Sequence, residues 1–439
     1  TESAARLAVA SAEIREAHGG DLSHASKLYG LALQFEPGDR AVAESLESVL
    51  HRAHAHQDLL GFYEQQSEIA EDDARRVSLM HKRARILDTD LQDADRAIEA
   101  YQGLLDVSPE DGPATEALDR LFTARSRWDE LAEHLRVQID KLAGSPEESA
   151  LRFRLGGLLE TQMEDPRAAV DVYEEITVLD PSHSLAIAAL ERIGADREWR
   201  NRTAEIVAPL HEQSGNWQAL CAVKEGLLEV CEDDGERGGV LRDLASLRER
   251  RLADPAGAME AWRAAFVLEP GDEELRAQLD RLAELTLDWD GLVAAFEQGV
   301  EASEDSYESA SLLRLIARTH DVRREDPRAA IDAYERLIST DPDAAMEVDE
   351  TGNALDNLES LHTMVSDWRG LVVVLRRKVE ACSDPLERAA LWRRVGSVQE
   401  DLLGDPRGAI EAFKGALEEL EDDLLSLESL ERLHGEREE

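Results

Sequence analysis

One nine-residue phrase occurs three times: Asp165-Pro166-Arg167-Ala168-Ala169-Val170-Asp171-Val172-Tyr173, Asp326-Pro327-Arg328-Ala329-Ala330-Ile331-Asp332-Ala333-Tyr334 and Asp405-Pro406-Arg407-Gly408-Ala409-Ile410-Glu411-Ala412-Phe413. Weaker copies start at Asp21, Asp93 and Asp254. With each Asp as position zero, Ala stands at +4 in all six copies (Ala25, Ala97, Ala169, Ala258, Ala330, Ala409). An aromatic stands at +8 (Tyr29, Tyr101, Tyr173, Trp262, Tyr334, Phe413), and proline at +16 in five copies, Glu421 being the exception. The anchors lie 72, 72, 89, 72 and 79 residues apart, a 72-residue period with insertions of about 17 and 7. A unit repeated at fixed period buries its apolar face by stacking on its neighbours, which excludes a set of independent globular domains.

Asp followed by Pro opens a helix: the carboxylate caps free N–H groups, and proline at the first position has φ already set. Ala at +4 and the aromatic at +8 share a face, and Pro at +16 cannot continue the helix, which predicts about 14 residues. Upstream runs another amphipathic stretch, as in Leu151, Leu155 and Leu158, with a small residue at −9 in every copy: Ala12, Ala84, Gly156, Ala245, Ala317, Gly396. A small residue there lets the neighbouring helix approach closely. Apolar residues at +25 and +28, such as Leu118 and Leu121, followed by a Trp and a Leu, such as Trp128 and Leu131, mark a second hairpin.

The expected fold is all-α, a single solenoid of antiparallel hairpins with four helices per 72 residues and roughly 24 helices over 1–439. Its units are 1–72, 73–144, 145–233 with an insertion near 195–211, 234–305, 306–384 with an insertion near 344–352, and a truncated 385–439. The chain opens inside a first helix and stops one residue before the next Trp slot, so it reads as a fragment of a longer array.

These landmarks resemble the tetratricopeptide repeat, whose second helix has the spacing of Ala169, Tyr173 and Pro181 or of Ala330, Tyr334 and Pro342. The chain departs from that pattern in its first helices, which lack the full Trp, Leu-Gly and Tyr set, and in the Leu- and Trp-marked alternate hairpins. The resemblance implies a right-handed solenoid and a protein-interaction scaffold whose inner groove is lined by first helices.

Lys and Arg number 49 against 95 Asp and Glu, a net charge of −46. Nucleic acid and anionic membrane need concentrated positive charge, so neither is an expected partner. With 43% hydrophobic residues the chain still builds a core. Three cysteines, Cys221, Cys231 and Cys382, without any Cys-x-x-Cys pair, fit a reducing, cytoplasmic location. The excess of Arg over Lys points to a GC-rich, bacterial genome. No membrane-length apolar run, phosphate loop, nucleophile elbow or zinc-protease motif occurs, and no catalytic, metal or cofactor site is expected.

Two polar stripes are candidate sites. An acid stands at −5 in every unit: Glu16, Asp88, Glu160, Glu249, Asp321, Glu400. It either pairs with a local Arg or forms a ladder for a basic segment. A basic stripe at −12, Arg242, Arg314 and Arg393, is extended by Arg154, Arg318 and Arg394; His81 and Phe153 fill the same slot in other units. It either pairs within its helix at i,i+4 or clamps an acidic peptide. His51, His54 and His56 form one cluster, without the convergent ligands a metal requires. The expected function is a non-catalytic scaffold for a protein or peptide partner, basic on electrostatic grounds. A regulatory or sensory part of a larger signalling enzyme is the alternative, and adaptation to high salt is a third source of the acidity.

Overall fold

The computed structural model describes residues 2–17, 21–348 and 352–435. The chain is all-α, with no strand and 25 α-helices among the described residues. Two compact units divide it, Thr1–Ile193 and Gly194–Glu439. In each, helices pack chiefly on their sequence neighbours as successive antiparallel hairpins, the arrangement of a tetratricopeptide-like solenoid.

The first compact unit holds α1 (Glu2–Ala17), α2 (Leu22–Phe35), α3 (Arg40–Arg52), α4 (His56–Ile69), α5 (Asp73–Arg85), α6 (Ala94–Val107), α7 (Gly112–Ala124), α8 (Trp128–Lys141), α9 (Pro146–Thr161), α10 (Pro166–Leu179) and α11 (Ser184–Ile193). The second holds α12 (Arg200–Ser214), α13 (Trp217–Leu228), α14 (Asp234–Arg250), α15 (Pro255–Leu268), α16 (Glu273–Thr286), α17 (Trp289–Ala302), α18 (Ser306–Arg318), α19 (Pro327–Thr340), α20 (Pro342–Ala345), α21 (Ala354–Met364), α22 (Trp368–Ala381), α23 (Pro385–Ser397), α24 (Pro406–Glu419) and α25 (Leu424–Gly435). Helices α12 and α20 lie in or beside the two insertions. Part of the second insertion, 349–351, and the last residues, 436–439, lie outside the described residues.

All six anchor Asp side chains accept an N–H from the residue at +3: His24, Arg96, Ala168, Gly257, Ala329 and Gly408. Each of the six helices they open has 14 residues. Every +4 Ala and every +8 aromatic is buried, as are Leu118 and Leu121, Leu279 and Leu282, and Leu358 and Leu361 of the second hairpins. The small −9 residue sits against the +8 aromatic: a Cβ on Gly156 would come within 2.6 Å of the Tyr173 ring, and one on Gly396 within 2.7 Å of Phe413. Trp128, Trp217, Trp289 and Trp368 each open the fourth helix of a unit.

First helices end in a way the sequence pattern does not announce. In α5, α18 and α23 the last turn widens into π-helix, Ile86–Asp90, Thr319–Arg323 and Val398–Leu402, at identical register. A left-handed residue then precedes the anchor: Gln92, Glu164, Ala253, Glu325 or Gly404. Only one of the five is glycine, so the strain of a positive φ on an L-residue recurs through the array.

Candidate functional site

The −5 acids do not present an open ladder. Five of the six are closed by an arginine of the third helix. Glu249 meets Arg281 at 2.7 Å, Glu16 meets Arg52 at 2.5 Å, and Asp88 and Glu400 pair with Arg120 and Arg432. Arg192 grips Glu160 with two N–H donors at 2.9 and 2.7 Å, and the Tyr173 hydroxyl donates to the same carboxylate at 3.1 Å. Burial and that carboxylate together raise the Tyr173 pKa above the ordinary tyrosine range. In four of these pairs the arginine follows the acid by 32 residues. Asp321 has no ion pair among the described residues, because the matching third-helix position is Ser360.

The −12 stripe is also engaged, by the residue that starts the third helix at +18. Arg242 donates to Asp272 at 2.8 Å and to Glu269 at 2.5 Å, and its hydrogen bond with Glu269 raises its pKa. Arg393 pairs with Asp423, and His81 meets Asp111 at 2.7 Å. Where the stripe has Phe153, the +18 residue is His183, and their rings lie 5.8 Å apart between centroids. Arg314 donates to the Ala344 carbonyl and, at 3.3 Å, to that of Glu347. Arg318 stands one turn further along α18, half-buried.

A third set joins consecutive repeats. Lys82 reaches back to Glu47 at 2.6 Å, Arg154 to Asp119 at 2.5 Å, and Arg394 to Glu359. Burial pushes the Glu359 carboxyl up, but Lys378 and Arg394 outweigh it and hold the group below the usual range. Glu47 is held down in the same way by Lys82 and the Tyr63 hydroxyl. A hollow of about 510 Å³ along α5 is lined by Ser78, His81, Lys82, Arg85 and Tyr101, and both His81 and Lys82 already have carboxylate partners.

The candidate arginines fall in four repeats, and Arg154, Arg242, Arg314, Arg393 and Arg394 are each tied to an internal acceptor. The i,i+4 pairing considered for them is replaced by contacts about 30 residues away. In the sequence Asp stands at +18 opposite His81, Arg242 and Arg393, but also opposite Val9, so the spacing alone does not reveal the pairing.

Of the histidine cluster, His51 faces the Tyr63 hydroxyl at 3.0 Å and His56 lies 3.7 Å from Asp90. Among the described residues no group of three His, Cys, Asp or Glu side chains is placed to hold a metal ion. Cys221 is buried, while Cys231 and Cys382 are half-buried. No helix of the described residues is long and apolar enough to cross a membrane.

No family model matches the chain, and no curated protein matches it. Among solved structures it is similar to the Cut9–Hcn1 hetero-tetramer of the APC/C, at 14% identity over 97% of this chain and 89% of that one, with a TM-score of 0.20. It is similar to the P58(IPK) TPR domain, at 16% identity over 82% of this chain and 97% of that one, with a TM-score of 0.19. A tetratricopeptide repeat protein from Parabacteroides merdae matches at 15% identity over 65% of this chain and 98% of that one, with a TM-score of 0.20. The assignment as a tetratricopeptide-like solenoid rests on the hairpins of the chain itself.

Proposed function

We propose that the chain is a non-catalytic scaffold that holds a partner protein or peptide, and that this partner is basic. The reading is carried by where the unneutralised charge lies. The last turn of each fourth helix ends in an exposed acid at one template position: Glu68, Asp140, Glu229, Glu301 and Glu380. Of these, only Glu229 makes an ion pair with a described residue, to Arg200 at 2.5 Å. The turn into the next repeat adds Glu71, Glu147, Glu232, Asp234 and Glu304, likewise without ion pairs among the described residues. Glu68, Asp140, Glu301 and Glu380 stand at helix C-termini, where a carboxylate opposes the helix dipole and costs folding stability. Within either compact unit a Lys- or Arg-bearing ligand would offset the unfavourable dipole interaction, and the local negative field would speed its arrival. The −12 arginines support the array in this reading, because a ligand carboxylate there would have to displace an internal partner.

The experiment is affinity capture with the wild type and two variants of equal charge change. One carries Glu68→Gln, Asp140→Asn, Glu301→Gln and Glu380→Gln. The other carries Glu99→Gln, Glu260→Gln, Asp332→Asn and Glu411→Gln on exposed second-helix positions. Loss of the same basic protein only from the first variant is the expected result; equal retention by both sinks the proposal.

A further inference from the structure

We infer that the exposed face of α22 is a separate docking surface of opposite sign, which takes an acidic segment of a partner protein. Arg369, Arg376 and Arg377 are exposed, and none forms an ion pair with a described residue. Their spacing of i, i+7 and i+8 puts them on one side of the helix around Val373, which is 50% exposed. Lys378, next in sequence, turns inward instead to Asp356 at 2.6 Å and Glu359 at 2.5 Å.

The lack of partners has a local cause. One repeat earlier the position of Arg376 is Glu297, which receives two N–H donors from Arg336 of α19, both at 2.7 Å. The residue corresponding to Arg336 beside Arg376 is Gly415. A Cβ at Gly415 would lie 3.0 Å from the Trp392 indole, tighter than ordinary contact, so a carboxylate-bearing side chain there would press on the indole. Glu380, at the C-terminal end of the same face, is the one carboxylate of α22 itself that approaches this side. In a chain of net charge −46, three exposed arginines thus share a face of α22 with Glu380 as its one carboxylate and with no ion pair among the described residues.

The occupant follows from the geometry. Arg369 and Arg376 are separated by two helical turns, about 10 Å. A segment with carboxylates at the same separation and an apolar residue between them would engage both guanidinium forks and cover Val373. A short segment suits the surface better than a large polyanion, which the overall negative field repels.

The test is fluorescence anisotropy with the full chain and a labelled helical peptide of about 16 residues, bearing Glu at i, i+7 and i+8 and Leu at i+4. The wild type should bind saturably. Arg369→Ala, Arg376→Ala and Arg377→Ala combined should weaken binding at least about tenfold, and so should Val373→Glu alone, with circular dichroism unchanged. A control with Arg407→Ala and Lys414→Ala on α24 should bind like the wild type. No binding by the wild type, or equal binding by the triple variant, overturns the inference. So does binding to phosphatidylserine vesicles with none to the peptide.

Discussion

Arg242 of α14 and Asp272, thirty residues further on, meet at 2.8 Å, and the same Asp272 carboxylate accepts the N–H of Glu274 at 2.8 Å to start α16. The residue that begins the third helix is therefore also the acceptor that fixes the first helix beside it. Local capping and packing between hairpins are coupled through one side chain.

Asp272→Ala should remove both roles at once and cost about 1–2 kcal/mol, the range of a lost N-cap. Arg242→Ala should cost less, below about 1 kcal/mol, because the arginine is partly exposed and solvent screens the pair. Hydrogen exchange at the first turn of α16 is the measurement. Faster exchange in Asp272→Ala than in Arg242→Ala is expected, and the reverse order would show that the cap is not limiting.

Overpacking provides a second check. Gly156 faces the Tyr173 ring with no room for a Cβ, while the matching Ala84, Ala245 and Ala317 are fully buried in their own repeats. Gly156→Val should destabilise the first compact unit by about 1–3 kcal/mol, the usual cost of forcing methyl groups into a filled core. Urea denaturation followed by circular dichroism reads the effect. An unchanged midpoint would mean that α9 and α10 separate more easily than their contacts suggest.

The sequence reveals most of what is periodic and local. Ala25 and its five counterparts, the aromatic four residues on and the anchor Asp all occupy the places their spacing requires, because helix starts and buried faces are set by neighbours within one or two turns. The polar stripes were visible as stripes, but their partners were not. Glu160 and Arg192 lie 32 residues apart, beyond the reach of any single-helix pattern, and meet only because the third helix folds back on the first. Gln92 and Glu164 show a different limit. Each is left-handed in the turn between its first helix and the anchor Asp, and neither residue type signals it.

Acid should loosen the array in a defined window. Burial raises the Glu359 carboxyl, yet Lys378 and Arg394 hold it below the ordinary value of 4.5. A group depressed in the folded state contributes stability that is fully present above its unfolded pKa and is lost as pH falls through the folded one. Thermal midpoints should therefore drop below about pH 4.5, and Glu359→Gln should show a lower midpoint at pH 7 with a shallower decline toward pH 3. Parallel curves for the two proteins would show that Glu359 does not contribute to the acid response.

The exception at Asp321 allows a gain to be predicted as well as a loss. Arg120, Arg192, Arg281 and Arg432 occupy one third-helix position and each closes a −5 acid, but the fifth repeat has exposed Ser360 there and its Asp321 has no ion pair among the described residues. Ser360→Arg places a guanidinium where four other repeats already hold one. Arginine also favours helix more than serine does, so both changes act in the same direction. A gain of about 0.3–1 kcal/mol is expected, the worth of an exposed pair with good geometry. It should shrink when NaCl is raised enough to screen surface charges. The decisive comparison is Ser360→Arg alone against Ser360→Arg with Asp321→Asn. If the stabilisation survives loss of the carboxylate in full, it comes from helix propensity and not from the restored pair.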